Sequence, residues 1–340
     1  MALKRFSIGL FNLFNLVLPN VVYYNNKKYK DAEYLEKKRW LADQLIHMNA
    51  DLVGFQEVFH AAALQEVVNA SNQYTNASII VGNETGNSPR VALVSRFPIV
   101  SHKVIADFPG SAILTIENKP FEIKAFSRPV IQATVQIDSV HGPVELIVFV
   151  VHLKSKRPIF RGQDVDKDDP LEVAWGQALA LVTRATEATA LRYILVETMR
   201  NNKKPVILMG DINDNVHAVT SEIISGTAPY RYLPQNKKAA IWDILLNNVK
   251  DIQARVSYQD FYYTHIFNGF YESLDHIFVN DEFVRSNPGC VGFVEYVKIL
   301  NDHLIDETLS HEEVSKTRSD HGQVVATIKF REPGMGIMME

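Results

Sequence analysis

The 340-residue chain carries a single cysteine, Cys290, so no internal disulfide can close and a cystine-stapled secreted fold is excluded. No stapling is needed, because a chain of this length buries a sizeable core unaided. No stretch approaches the ~20 apolar residues of a bilayer span, so no integral membrane segment is expected. Basic charge is also in short supply. Lys+Arg number 35 against 39 Asp+Glu, a net charge of -4, so no overall field draws nucleic acid or acidic lipid to the surface. Any polyanionic substrate must be held by local cations. Repeats and low-complexity runs are missing too. With 46% hydrophobic, 22% charged and 10% aromatic residues, the composition excludes a disordered polymer, a collagen-like fibre and a coiled coil. A globular protein is left, with Cys290 as a buried thiol and the cytoplasm as default compartment; one thiol leaves secretion open.

The N-terminal MALKRFSIGLFNLFNLVLPN places two basic residues before an apolar stretch, the order of a signal peptide. Asn12 and Asn15 interrupt that stretch, and no small-x-small cleavage site follows before Tyr23, so we read a strand. Further β-rich runs are predicted at Asp51–Gln56, Ser78–Val81, Val91–Val94, Ile131–Ile137, Val144–Val151, Val206–Met209, His276–Val279 and Gln323–Phe330. Helical periodicity covers 31–48, with Tyr34, Leu35, Leu41, Leu45 and Ile46 on one face, and the Ala- and Leu-rich stretch 170–199. VELIVFVV and PVILMG are apolar on both faces, as in strands buried between layers, whereas IQATVQID alternates. The pattern predicts a mixed α/β (α+β) fold, two packed sheets flanked by helices. The ~150-residue rule allows two domains, but the most linker-like stretch, RGQDVDKDDP at 161–170, reads as an ordinary acidic loop. One domain over 1–332 with a tail at 333–340 is expected.

Polar residues repeatedly stand just past the ends of apolar strands, where a rigid sheet can aim them into one cleft. Asn12 interrupts an apolar strand and must either bond neighbouring backbone or face a polar site. Glu57 ends DLVGFQEVF and suits a hard cation such as Mg²⁺, or a solvated strand end. His152 ends VELIVFVVH and is followed by Lys154, Lys156 and Arg157, a set that suits phosphate as well as it suits a basic surface loop. In VILMGDINDN, Asp211 and Asn213 lie two apart; in extended geometry they point the same way, one to hold a water and one to donate to a phosphoryl oxygen. An Asx-rich turn is the structural alternative. Asp275–His276 and Asp320–His321 are adjacent pairs beside strands. Adjacent strand residues face opposite ways, so Asp275 on another strand is the candidate to orient His321, and His276 reads as structural.

Together, in the order N, QE, HLKSK, GDIN, LDHI, SDH from residue 12 to 321, these segments resemble the endonuclease/exonuclease/phosphatase superfamily, with its deoxyribonuclease-I-like fold. The resemblance implies a four-layered sandwich, two mixed β-sheets flanked by helices, with a metal site at one edge. It implies hydrolysis of phosphodiesters or phosphomonoesters with Mg²⁺ or Mn²⁺. Carried onto matching positions, Glu57 becomes the principal metal carboxylate, assisted by Asn12 and Asp320. Asp211 orients or deprotonates the attacking water, and Asn213 donates to the developing phosphorane. His321, paired with Asp275, stabilises the same charge or moves a proton, and His152 is a second histidine. Arg128 in FSRPVIQATV occupies a phosphate-contacting position, with Lys154 and Lys156 as further substrate cations. TGNSPR replaces the Tyr and Glu that support the second histidine in some members, so the partner of His152 is open. A monomer acting on a phosphate ester is expected. A nuclease comes first, using the 152–157 loop with Lys203, Lys204, Lys237 and Lys238. A phosphatase or phosphodiesterase for a lipid or inositol-type headgroup is second, with Tyr23, Tyr24, Phe261, Tyr262 and Tyr263 as pocket aromatics. A catalytically inactive phosphate-binding module is third.

Overall fold

The computed structural model describes residues 3–24, 26–116, 121–140, 142–161, 165–200, 202–254, 262–309 and 314–331. The expected tail at 333–340 and Phe261 lie outside the described residues. The first half of the chain contains β1 (Arg5–Leu16), α1 (Asp31–Met48), β2 (Leu52–Val58), α2 (Ala61–Ser71), β3 (Ser78–Val81), β4 (Arg90–Ser95), β5 (Ile99–Asp107), β6 (Leu114–Ile116), β7 (Phe121–Ile123), β8 (Ala125–Ser139) and β9 (Gly142–His152). After these come α3 (Pro170–Met199), β10 (Val206–Asp211), α4 (Val219–Ser225), α5 (Gln235–Trp242), β11 (Asn247–Asn248), α6 (Val249–Ala254), β12 (His265–Phe267), β13 (Phe270–Glu272), β14 (Asp275–Val279), β15 (Gly292–Leu300) and β16 (Gln323–Phe330).

Two six-stranded sheets carry the fold, in the orders β15-β16-β1-β2-β4-β3 and β11-β14-β10-β9-β8-β5. Both are mixed. β1 runs parallel to β2 and antiparallel to β16, and β10 runs parallel to β9 and antiparallel to β14. Ile8, Leu10, Leu52 and Leu93 meet Val135, Val148, Ile207 and Ile277 between the sheets. On the outer side of the first sheet, Phe11, Val53 and Phe55 pack against Leu41 and Leu45 of α1 and Leu64 of α2. Phe149, Val151 and Leu208 do the same with Ala188, Leu191 and Leu195 of α3. The result is helix, sheet, sheet, helix: the expected four layers. Each fully buried Leu, Ile or Phe contributes roughly 1.5–3 kcal/mol, so β1, buried on both faces, is a principal anchor.

Local chemistry sets the helix ends. Asp169 accepts from the Leu171 N–H at 2.9 Å, and Pro170 opens α3 where no intrahelical donor is lost. The Glu33 side chain accepts from the Lys30 N–H at 2.9 Å, and α1 ends at Asn49 in the left-handed region. The apolar face expected for α1 is corrected in part. Leu35 and Ile46 are 49% and 41% exposed, whereas Lys37 is completely buried. Polar strand β5, largely exposed, and β15 were not foreseen; neither shows the apolar run that marks the inner strands.

Candidate active site

The C-terminal ends of β1, β2, β9 and β10 and the N-terminal ends of β14 and β16 come to one edge of the sandwich. Register places His152, Asp211 and Asp275 side by side across three strands, and Asn12 opposite Gln56 in the other sheet. Gly210 permits this: a Cβ there would collide with the Val151 carbonyl oxygen, so any larger residue would force β9 and β10 apart. Asp211 is the hub. Its Oδ2 accepts from Asn12 Nδ2 at 3.1 Å and lies 3.5 Å from His152 Nε2 and 4.0 Å from His321 Nε2. Its Oδ1 accepts from the Asn213 N–H at 2.9 Å.

Electrostatics separates these groups into distinct proton carriers. Burial, then the neighbouring Asp275, pushes the Asp211 carboxyl up to about 7, against the opposing effect of His321 and the Asn213 N–H. Burial alone would lower the His321 pKa. Asp275, by charge and by a 2.8 Å hydrogen bond to Nδ1, together with Asp320 and Asp211, outweighs it and raises that pKa well above the usual imidazole value. His321 is thus an imidazolium. Burial, followed by Arg128, His321 and Lys154, holds His152 far below the usual range, so His152 is neutral. Its Nδ1 is buried without a hydrogen-bond partner, and the support left open by the sequence is not supplied by Glu84, which is exposed. His276 is structural as expected, joining Asn248 Nδ2 and the Asp214 carbonyl at 3.1 and 2.8 Å.

The oxygen-donor side consists of Asn12, Glu57 and Asp320. Glu57 Oε2 accepts from the Asn15 N–H at 2.9 Å, and Asn12 Oδ1 accepts from the Phe14 N–H at 3.1 Å. Phe14, Asn15 and Glu57 all hold left-handed backbone (φ 49°, 58° and 61°), and the β1–β2 register slips between Asn12 and Leu16. Such conformations cost about 1–3 kcal/mol each and cluster at functional sites. Burial first, then the Asp320 charge, raises the Glu57 carboxyl. Asp320 Oδ1 is buried and unpartnered. An orphaned carboxylate oxygen close enough to a second carboxylate to raise its pKa fits a hard divalent cation such as Mg²⁺ or Mn²⁺. Among the described residues, two His/carboxylate triads also offer atoms within 4.8 Å of one another: Asp211, Asp275 and His321, and His265, Asp320 and His321. Glu57 belongs to neither.

The cationic side departs from expectation. Asn213 does not share extended geometry with Asp211; its φ is 56°, β10 has ended, and an Asx turn carries it, so its Nδ2 donates to the Leu153 carbonyl at 3.1 Å. Lys154 Nζ folds onto its own loop, donating to the Ser155 and Arg157 carbonyls at 2.9 Å. Lys156 is paired with Glu272 at 2.5 Å. Arg128 does face the site: Nη1 donates to the Leu153 carbonyl at 3.2 Å, and Nε is buried without a partner. Of the aromatics, Tyr23 is buried against Tyr29 and Phe59 as core packing.

Three site residues were given no role from the sequence, although Ser319 opens the SDH motif. Ser319 donates to the Asn12 carbonyl at 2.7 Å and accepts from the His321 N–H at 3.0 Å, tying β1 to the chain before β16. His265 stacks on His321, with ring centroids 4.8 Å apart, and its Nδ1 meets the Asp320 carbonyl at 2.9 Å. Lys37 reaches the Phe14 and Lys316 carbonyls at 2.9 and 3.2 Å.

A carboxylate hub, an imidazolium and an oxygen-donor set thus share one edge of a four-layer sandwich. Residues 11–321 match the Endonuclease/Exonuclease/phosphatase family, and the chain belongs to that family. Its members are phosphoric ester hydrolases that typically use a divalent metal. Similar solved structures include truncated TDP2 from Caenorhabditis elegans, at 14% identity and a TM-score of 0.54, covering 96% of this chain and 97% of that one. A mannosyl-6-phosphatase from Bacteroides thetaiotaomicron, at 16% identity and a TM-score of 0.52, covers 96% and 100%. A family protein from Leptotrichia buccalis, at 15% identity and a TM-score of 0.52, also covers 96% and 100%. At such identities the likeness shows the fold alone. No curated protein sequence matches. Among the described residues, no helix is long and apolar enough to cross a membrane.

Proposed function

We propose that this chain is a divalent-metal-dependent phosphodiesterase that cuts nucleic-acid backbone, with single-stranded regions as its preferred substrate. One observation carries the substrate class: rings stack outward from the reacting centre, His321 on His265 at 4.8 Å and His265 parallel to Phe267 at 6.5 Å. They end at the β12–β13 hairpin, where Phe267 and Phe270 are 61% and 71% exposed. Flat, exposed rings beside a phosphate site suit unpaired bases, whose stacking contributes about 1–3 kcal/mol each. We read residues 1–332 as one domain, in keeping with a family match that spans 11–321.

Glu57, Asn12 and Asp320 would hold the ion. When bound, Mg²⁺ or Mn²⁺ would neutralise a nonbridging phosphoryl oxygen. Asp211, with a pKa of about 7, is matched to accept a proton from the attacking water near neutrality. Asn12 donates to its Oδ2, and His152 Nε2 lies 3.5 Å from the same oxygen. His321, kept charged by Asp275, donates to phosphoryl oxygen as negative charge develops. Arg128, whose Nη1 shares the Leu153 carbonyl with Asn213 Nδ2, contributes a second cation, with Lys154 and Lys156 in the adjoining loop.

A second reading, a phosphatase for a small sugar or inositol-type headgroup, is favoured by the pairing of the outer lysines: Lys156 with Glu272, Lys203 with Asp243 and Lys204 with Glu145. The two separate cleanly. With Mn²⁺, cleavage of a single-stranded oligonucleotide that weakens in Phe267→Ala supports the first reading. Release of phosphate from sugar or inositol phosphates with intact oligonucleotide selects the second. No turnover of either, nor of bis-p-nitrophenyl phosphate, would leave an inactive phosphate-binding module.

A further inference from the structure

The most deeply buried carboxylate of α3 lies outside the reacting set. Glu187 is 0% exposed and sits mid-helix in an Ala-rich segment, where an unpaired charge would be prohibitive. It is fully engaged with backbone. Its Oε1 accepts from the Ser127 N–H at 2.7 Å and its Oε2 from the Lys154 N–H at 2.6 Å. Arg184, one turn earlier and itself buried, donates to the Lys154 carbonyl at 3.2 Å and lies 3.4 Å from Asp214 Oδ2. The two side chains therefore grip the peptide bonds on both sides of Lys154.

Where that grip leads is the informative point. The Leu153–Lys154 peptide gives its N–H to Glu187 and receives at its carbonyl both Arg128 Nη1, at 3.2 Å, and Asn213 Nδ2, at 3.1 Å. Ser127, the other residue held by Glu187, directly precedes Arg128. Arg184 meanwhile holds Asp214, the residue after Asn213, which Thr220 Oγ1 also bonds at 2.6 Å. The start of β8 at 127–128 and the two loops at 153–154 and 213–214 are thus indexed to one face of one helix.

We infer that Glu187 is the positioning residue of the phosphate-binding half of the site: through the Leu153–Lys154 peptide it sets where Arg128 and Asn213 present their donors, without touching substrate itself. The inference rests on the reading of Arg128 and Asn213 as phosphate contacts. Amide and guanidinium donors that share one carbonyl move with it, and small displacements of such groups can lower rates by about 10²-fold. The oxygen-donor set takes its own anchors from the Phe14 and Asn15 N–H groups, neither of which Glu187 or Arg184 touches. Phosphate binding and metal binding should therefore separate on perturbation.

Glu187→Gln keeps the shape but turns one acceptor into a donor facing an N–H. The test is calorimetric titration of the full-length protein with inorganic phosphate at saturating Mn²⁺, and with Mn²⁺ alone. Leu191→Ala on the same helix serves as a control for lost packing. The expected result is phosphate affinity weakened between about 10- and 100-fold in Glu187→Gln, Mn²⁺ affinity unchanged, and phosphate affinity unchanged in Leu191→Ala. Equal phosphate affinity in wild type and Glu187→Gln, or an equal loss in Leu191→Ala, overturns the inference while leaving the hydrolase reading intact. Wild type that neither binds phosphate nor hydrolyses bis-p-nitrophenyl phosphate overturns that reading instead. Should Glu187→Gln not fold, amide exchange of the wild type decides. The Ser127 and Lys154 amides are expected to exchange as slowly as those of β9 and β10, and exchange at exposed-loop rates refutes the grip.

Discussion

Lys37→Met would make the protein more stable near neutrality. Lys37 lies under the Glu57–Asp320 side, completely buried among Phe14 and Tyr29. Burial drags its pKa from 10.5 to about 7, although Asp320 and Glu57 push the other way. At about 1.4 kcal/mol per pH unit, that shift amounts to about 5 kcal/mol of destabilisation. Methionine has similar length and no charge to desolvate. It forfeits the two bonds to the Phe14 and Lys316 carbonyls, about 1 kcal/mol each, but the Tyr29 hydroxyl still reaches both at 3.3 Å. A net gain of about 3 kcal/mol near pH 7 follows. The sign of the pH dependence is distinctive. Between about 7 and 10.5 the unfolded chain binds a proton that the folded one lacks, so wild-type stability rises with pH through this interval. Over two pH units in that window, the advantage of Lys37→Met should shrink by about 3 kcal/mol. Guanidinium unfolding of both proteins at several pH values, in chelator, measures it; parallel stability curves would refute the burial argument.

Two further perturbations test the geometry around Asp211. Asp275→Asn removes the charge that keeps His321 protonated, so turnover should fall by about 10²–10⁴-fold and the alkaline limb of the rate profile should move to lower pH; an unmoved limb would show that Asp275 does not set the His321 charge. Gly210→Ala puts a methyl into the Val151 backbone and should cost about 1–3 kcal/mol in unfolding measurements; unchanged stability would mean that β9 and β10 are not held this closely.

The inner strands and both long helices were legible because burial on two faces writes continuous apolar runs, and because helical periodicity marks 31–48 and an Ala- and Leu-rich stretch marks 170–199. Edge strand β5 was not, since an exposed edge imposes no apolar pattern. Asn12, Asp211, Asp275 and His321 were legible as polar interruptions at strand ends, and the structure brings them together. The direction of the Asn213 amide was not, because the left-handed turn after Asp211 reverses the alternation that extended geometry assumes. Lys37 and Glu187 were hidden for a different reason. A charged residue inside an amphipathic helix reads as solvent-facing unless the backbone groups that satisfy it are known, and those lie at Phe14, Lys316, Ser127 and Lys154, far away in sequence.

Asp211→Asn addresses the hub itself, because the amide keeps the shape of the side chain, can still accept one of its two hydrogen bonds, from Asn12 Nδ2 or the Asn213 N–H, and cannot take a proton from water. Hydrolysis of bis-p-nitrophenyl phosphate by wild type should require Mg²⁺ or Mn²⁺, stop with chelator, and fall at least ~10²-fold in the variant with metal affinity preserved. Chelator-resistant turnover, or a variant as fast as wild type, would contradict the account.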